Sequence, residues 1–263
     1  VTFRFFAFAV TTSLMLPHSA AGAAEPAQTF AADYSVSFLG FTVANSRFVT
    51  HLRPDRYDID GSIESTGLAT FFERTKATAK VSGQVGKNGQ VMPASYSVDY
   101  TYGKKEKKTV LSFSKGRVTD ISNTPPLPPR RKDWVPVEAE QLRAVMDPIS
   151  VTLVKASDPR SVCNHTGKAF DGQLLADMTL SYVDTKPVSI DGFQGEAVTC
   201  SGRFRPIAGY HRSNKSLRFL VSKSKVVVTF AELGQTGLYA PIQASVSTRI
   251  GTVSIKAKRL EAM

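Results

Sequence analysis

The chain is poor in the residues from which many enzyme and metal sites are built. It has two cysteines, four histidines and one tryptophan among 263 residues. Two cysteines cannot supply a four-thiolate zinc or iron–sulfur site. G-x-S-x-G, H-E-x-x-H, a Gly-rich phosphate loop and C-x-x-C are absent. Their absence removes the hydrolase elbow, the zincin helix, the P-loop and the thioredoxin motif. S-x-x-K occurs at Ser112–Lys115 and Ser222–Lys225. That motif needs a helix start to aim its lysine, and both copies read as strand or hairpin. Acidic residues are also in deficit, 22 against 33 Lys and Arg, for a net charge of +11. Long apolar runs are missing after the first thirty residues, so no membrane-spanning helix is expected in the rest of the chain.

What is present begins with an N-terminal segment, "VTFRFFAFAVTTSLMLPHSAAGAAEPAQ". Arg4 is its only charge before Glu25. Phe5 to Leu16 is apolar but too short to span a bilayer comfortably, and Ala21-Gly22-Ala23 fits an A-x-A cleavage pattern. This is the grammar of a secretory signal peptide over residues 1–24, leaving residues 25–263 as a single mainly-β periplasmic domain. No cysteine near the cleavage site marks a lipid anchor. A basic exported protein meets anionic partners such as lipopolysaccharide, phospholipid head groups and cell-wall polymers. Nucleic acid is disfavoured by the compartment.

From Ala32 onward apolar residues recur with period two. Tyr34, Val36 and Phe38 share a face, as do Tyr57, Ile59 and Ile63, and Tyr96, Val98, Tyr100 and Tyr102. Alternation of this kind places one side of each strand on a core. The stretch from Ala94 to Ser122 reads as a three-stranded meander, and more strands follow at 174–183, 195–204, 224–233, 242–250 and 252–260. Asp171-Gly172 and Asp191-Gly192 are hairpin turns, since both dipeptides tolerate positive φ. The fold expected is a long antiparallel meander curled into a spiral or barrel-like sheet. One short helix is expected near 147–157, with Asp147 as cap and Pro148 at the first position. "TPPLPPRRKDWVPV", residues 124–137, contains five prolines and cannot be a central strand. It reads as a stiff crossover pinned by Trp134, or as a polyproline ligand for a partner.

The stretch "VCNHTGKAFDGQLLADMTLSYVD", residues 162–184, gathers a cysteine, a histidine and three aspartates. Cys163-x-His165 with Cys200 and His211 could offer four metal ligands, but C-x-H is poor zinc spacing. In an oxidising compartment two lone cysteines form a bridge, so Cys163–Cys200 is expected as a disulfide and no metal or cofactor is expected. The stretch then reads as a stapled hairpin, with Asp177 and Asp184 near water. His51, His165 and His211 are the candidate acid–base groups, and each lacks a recognisable partner. Asp55, Asp58 and Asp60 near His51 read as a solvated strand edge paired with Arg53 and Arg56.

The order "GLATFFERTKATAKVSGQV", "MPASYSVDY", "MDPISVTLV", "CNHTGKAFDGQ" and "CSGRFRPIAGY" resembles the domain-of-unknown-function family 3108, exported proteins of Gram-negative bacteria, in its rhizobial branch. Gln173 stands after Phe-Asp-Gly where a basic residue is expected. The family has no established reaction, so the resemblance implies no catalytic residues. In plan alone the chain is also similar to the envelope-integrity protein B family and, more loosely, to periplasmic lipoprotein carriers.

These readings lead to a non-enzymatic periplasmic protein of cell-envelope maintenance, binding an acyl chain, lipoprotein or peptide in the curl. The residues expected to line it are Phe38, Tyr96, Tyr100, Phe113, Tyr182 and Phe230. The alternatives are a hydrolase acting on envelope polymers and a scaffold that binds a protein partner through 124–137, with Arg130, Arg131 and Lys132 in contact. The oligomeric state is left open. Export is directly testable. N-terminal sequencing of protein released by osmotic shock is expected to begin between Ala24 and Ala27, and a retained Arg4 segment contradicts it.

Overall fold

A computed structural model describes residues 27–67, 70, 74–86 and 88–263. The expected leader, residues 1–24, lies outside the described residues. Fourteen strands form one sheet, and every hydrogen-bonded pair of strands in it is antiparallel. The N-terminal half is a meander: β1 (Gln28–Phe38), β2 (Phe41–Arg53), β3 (Arg56–Ser65), β4 (Thr75–Val85), β5 (Val91–Tyr102), β6 (Lys105–Ser114) and β7 (Arg117–Thr124). A two-residue strand, β8 (Trp134–Val135), then leaves the sheet, and another, β9 (Val154–Lys155), flanks it. The second half holds β10 (Thr166–Phe170), β11 (Leu175–Ile190), β12 (Phe193–Ala208), β13 (Tyr210–His211), β14 (Val226–Glu232), β15 (Leu238–Thr248) and β16 (Gly251–Ala262). The spatial order runs β10-β11-β12-β14-β15-β16-β1-β2-β3-β4-β5-β6-β7. The two halves therefore join where β16 pairs with β1, from Phe30↔Ala262 to Phe38↔Val253.

Long strands must coil to close, and bulges supply the bend. Register shifts occur at Asp33/Tyr34, Val36/Ser37, Ser82/Gly83, Ser112/Phe113 and Thr229/Phe230. The two edge strands, β7 and β10, do not pair with each other. Residues 143–146 lie between them: Arg143 bridges Arg117 of β7, and Met146 bridges Ala169 of β10. Ala144 N donates to Gly116 O (2.7 Å), Met146 N to Lys168 O (2.9 Å), and Phe170 N to Met146 O (2.9 Å). A non-strand segment thus links the start of β7 to β10 across the gap between the two edges. Strand direction places the turns at 39–40, 103–104 and 249–250 at one end, called the upper end here, and those at 54–55, 115–116 and 191–192 at the lower end.

The interior is filled by Phe30, Tyr57, Tyr96, Leu111, Phe113, Val145, Leu153, Phe170 and Leu175, with Leu238, Ile242 and Leu260 beside them. Gly83 is required by this packing. A Cβ there would lie 2.3 Å from the Tyr57 hydroxyl and 2.5 Å from Met92 O. A second cluster, Val154, Val162, Leu180, Val198, Phe230 and Tyr239, surrounds the Cys163–Cys200 disulfide. Ala197 and Ala231 belong to the first cluster and their neighbours Val198 and Phe230 to the second. Successive strand residues face opposite sides, so this second core lies on the other face of the sheet.

Three local expectations need correction. The helix near 147–157 is a single 3-10 turn, Ser150–Thr152. Asp147 caps it as expected, but Val154–Lys155 find a sheet partner in Leu238–Tyr239, and that pairing takes the rest of the segment. Asp177 is buried, not near water, because it sits opposite Arg205 on β12 and pairs with it. Ser222 ends a helix, α1 (Lys215–Ser222), so the second S-x-x-K copy is not in strand context; it still lies at the wrong end of the helix to aim a lysine. Asp184 is partly exposed and pairs with Lys186.

The disulfide closes a 37-residue separation, worth about 3–4 kcal/mol on the chain-entropy account. Reduction, or the Cys163→Ala/Cys200→Ala pair, is expected to lower stability by that order in urea unfolding. An unchanged midpoint would show that the second core holds without the bridge.

Candidate functional site

The proline-rich segment becomes a strap across the upper end. Its prolines cannot donate to a ladder, so side chains hold it. β8 pairs with β13, Val135 opposite Tyr210 and Trp134 opposite His211. Gly209 N donates to Val135 O (2.8 Å) and Arg212 N to Asp133 O (3.0 Å). Asp133 is the latch. Its Oδ1 lies 2.9 Å from His211 Nδ1, and its Oδ2 accepts from Ser213 N (3.0 Å) and Ser213 Oγ (2.5 Å). These bonds, those from Ser213 first, hold the Asp133 carboxyl well below the usual carboxylate range. The Trp134 ring meets His211 edge-on at 5.0 Å, and the Arg130 guanidinium stacks 3.9 Å above Trp134.

Asp133, His211 and Ser213 contain the residue types of a catalytic triad without its geometry. Ser213 donates to the same carboxylate that His211 meets, so the serine is not paired with the imidazole as a nucleophile is with its base. The other two candidate histidines lie elsewhere. His51 Nδ1 is 3.0 Å from Thr29 Oγ1. His165 packs against β10 with Nε2 buried and unpartnered, and burial lowers its pKa. Asp58 and Asp55 pair with Arg53 (2.6 Å) and Arg56 (3.5 Å), as expected, while Asp60 pairs with Lys80 (3.3 Å). Among the described residues no three His, Cys, Asp or Glu side chains form a metal-holding group.

Beneath the strap lies a cleft of about 460 Å³, walled by Pro125, Pro126, Leu127, Pro128, Trp134 and Leu217, with Asn123, Asp171 and His211 as polar members. A neighbouring depression of about 410 Å³ holds Asp99, Tyr100 and Glu106. The two share Lys107, Lys108 and Thr124 and form one trough with lysines at its waist. Lys108 is 3.2 Å from Asp99.

The six aromatic residues expected in one groove are not brought together. Tyr96 and Phe113 are interior, and Phe230 belongs to the second core. Tyr100 lines the trough. Tyr182 is exposed, with Arg160 5.6 Å from its ring centroid. Phe38 closes the β1–β2 hairpin opposite Phe41. Of the basic triplet, Arg130 and Arg131 serve the strap, the latter 4.0 Å from Asp133, and Lys132 is exposed. Sequence reasoning missed the trough and α1. Asn214 followed by Leu217, Leu220 and Val221 was the available helix signal: a cap before an i, i+3, i+4 apolar row.

One buried polar cluster lies inside the barrel. Tyr57 OH donates to Ser150 Oγ (2.7 Å), and Asp147 Oδ1 accepts from Ile149 N (2.9 Å) and Ser150 N (2.8 Å). Asp147 Oδ2 has no partner. Burial raises the Asp147 carboxyl and pushes the Tyr96 hydroxyl up to about 12.

The sequence matches the model of the family described as "Protein of unknown function (DUF3108)" over residues 33–258. The chain belongs to this family. No curated protein matches it. Two solved structures are similar over most of their length. The first is a β-barrel-like protein of the domain of unknown function DUF1849 from Brucella abortus, at 8% identity and a TM-score of 0.48, covering 90% of this chain and 98% of that one. The second, provisionally named a lipoprotein, comes from Parabacteroides distasonis ATCC 8503, at 6% identity and a TM-score of 0.29, with coverages of 89% and 95%. Such likenesses are too remote to transfer a function. No helix among the described residues is long and apolar enough to cross a membrane.

Asp147 generates a pH prediction. Its folded-state pKa is raised above the unfolded value of about 3.9. The folded chain therefore keeps a proton that the unfolded chain releases, and this group's contribution falls as pH rises above about 4. Asp147→Asn keeps the Oδ1 acceptor and removes the titration. Urea unfolding between pH 4 and 8 is expected to show the variant gaining on the parent as pH rises; Asp147→Ala, which loses the acceptor as well as the titration, is expected to cost about 2 kcal/mol near pH 4 and to regain ground on the parent in parallel with Asp147→Asn.

Proposed function

We propose that the protein is a non-enzymatic, exported binding protein of the cell envelope that holds an extended segment of a polypeptide partner in the strap trough. The observation that supports this reading is the trough itself: proline and tryptophan faces on one wall, and Lys107 and Lys108 at the waist. Flat apolar faces beside two lysines, with Asp99, Glu106 and Asp171 around them, suit an extended segment that carries apolar side chains and charges of both signs. The strap is fastened at one end by Asp133, which gives the wall a fixed position without placing it in the sheet. An acyl chain inside the curl is the weaker reading, since Tyr96 and Phe113 fill the interior with Tyr57 and Leu111. A hydrolase is weaker still, since Ser213 and His211 share a carboxylate instead of bonding to each other.

Trp134 is the only tryptophan, so its fluorescence reports occupancy of the trough. Short extended peptides that carry proline, leucine and charges of both signs are expected to shift it with micromolar affinity, about −8 kcal/mol. Lys107→Glu with Lys108→Glu is expected to weaken binding about tenfold or more, equivalent to about 1.4 kcal/mol. A response to fatty acid and not to peptide would return the assignment to the acyl reading.

A further inference from the structure

The upper end carries a second feature, unconnected with the trough lining. Leu39, Phe41 and Ile250 are 59%, 68% and 67% exposed, the largest values among the described large apolar residues apart from Met263. They stand on two neighbouring hairpin tips. Leu39 N donates to Thr252 O (3.1 Å) across the gap. The Leu39 side chain lies over Gly251, its Cδ2 2.5 Å from where a Cβ would be, with Phe38 Cε2 at 3.0 Å. The three exposed side chains thus crown one small region of the barrel.

The backbone marks this tip as selected for something other than stability. Leu39 has φ 51° and Gly40 φ 88°, the two positive values of a tight hairpin turn that favours Asn-Gly. A bulky residue in the left-handed region is an outlier and costs about 1 kcal/mol or more of strain. Here that strained position presents a leucine to solvent.

Charge identifies the occupant. Segments 36–46, 214–228 and 245–258 contain no Asp or Glu. Near the tips and α1 they contain Lys215, Arg218, Lys223, Lys225 and Arg249, all exposed, while Lys256 and Lys258 lie farther down β16. Lys225 O accepts from Ser247 N (3.0 Å), and Ser224 Oγ donates to Ser247 O (2.6 Å), which fixes the end of α1 beside the β15–β16 tip. The acids that border this field are Asp133, which accepts from Ser213 just before α1, Asp33, opposite Arg259 and Arg47 and paired with Arg47, and Glu64, opposite Asn45 and Lys76. Apolar tips within a field of cations match an anionic lipid surface, where basic side chains meet phosphates and apolar ones reach the acyl boundary. A second copy of this face would bring like charges together.

We infer that the upper end docks on an anionic membrane surface, with Leu39, Phe41 and Ile250 entering the headgroup–acyl boundary and the cations around them on the phosphates. This docking does not depend on the peptide reading of the trough, and it holds the strap close to the bilayer.

The test uses the purified protein and vesicles of phosphatidylcholine, with and without phosphatidylglycerol. Co-sedimentation is expected only with the anionic vesicles and is expected to fall as salt rises. Leu39→Asn is the decisive variant. It creates Asn-Gly, so the melting temperature is expected to hold or rise, while vesicle affinity drops about tenfold. Phe41→Trp, read in a Trp134→Phe background, is expected to shift to the blue on anionic vesicles. Equal binding to neutral vesicles, no binding to either, or unchanged affinity in Leu39→Asn overturns the proposal. So does a dimer that dissociates on Leu39→Asn without vesicle binding, which assigns the tips to a second copy. Loss of peptide response in the trough variants with vesicle binding intact separates this docking from the function proposed above.

Discussion

A large curled sheet has two edges, and this fold depends on hydrogen bonds that neither edge makes to the other. Arg143 to Met146 satisfies β7 on one side and β10 on the other. The same segment then turns inward, and Val145, Asp147, Ser150 and Leu153 are buried. Closure and core filling are therefore one event. That coupling explains why a carboxylate lies in an apolar interior. Turning the chain inward leaves the N–H groups of Ile149 and Ser150 away from water, and Asp147 Oδ1 accepts both. A buried donor left unpaired costs about 1–3 kcal/mol, so the acid offsets a loss that the seam creates.

A filled interior moves recognition to the outside. The lower end is where the β11–β12 tip reaches β16, with Leu260 N donating to Asp191 O (2.8 Å). At the upper end the strap and α1 are attached to the sheet instead of being part of it, beside its bare hairpin tips. The division follows from composition. Proline cannot join the ladder, so residues 125–137 leave the main sheet, and the short β8–β13 pairing together with the Asp133 latch holds them.

Period-two alternation made the strands legible, and Asp-Gly pairs marked two of the hairpins, because both signals are local. The disulfide was legible because two cysteines leave one pairing. The failures came where a distant partner decides. Ile149, Leu153 and Val154 suit a helix, but the Leu238–Tyr239 edge draws Val154 into a strand. Asp177 reads as a surface acid until Arg205 is placed across from it. The aromatic residues share alternation, yet bulges and coil send Tyr96 inward, Phe230 to the opposite face and Tyr182 to solvent. Periodicity assigns a side to each strand but not which side of a twisted sheet becomes the inside. The trough was not legible because it is assembled from β6, the strap and the β12–α1 connection.

The pairing of β1 with β16 sets an order of events. Phe30 meets Ala262 across almost the whole sequence, which gives this seam a very large loop to close. A chain that emerges N-terminus first can build the β2 to β7 meander at once. It cannot cover the free side of β1 until β16, Gly251–Ala262, arrives. For that interval β1 presents an unpaired edge bearing Phe30, Tyr34 and Val36, a ready template for mispairing with another chain. The barrel thus stays open along β1 until β16 is in place, and mispairing competes with folding during that interval.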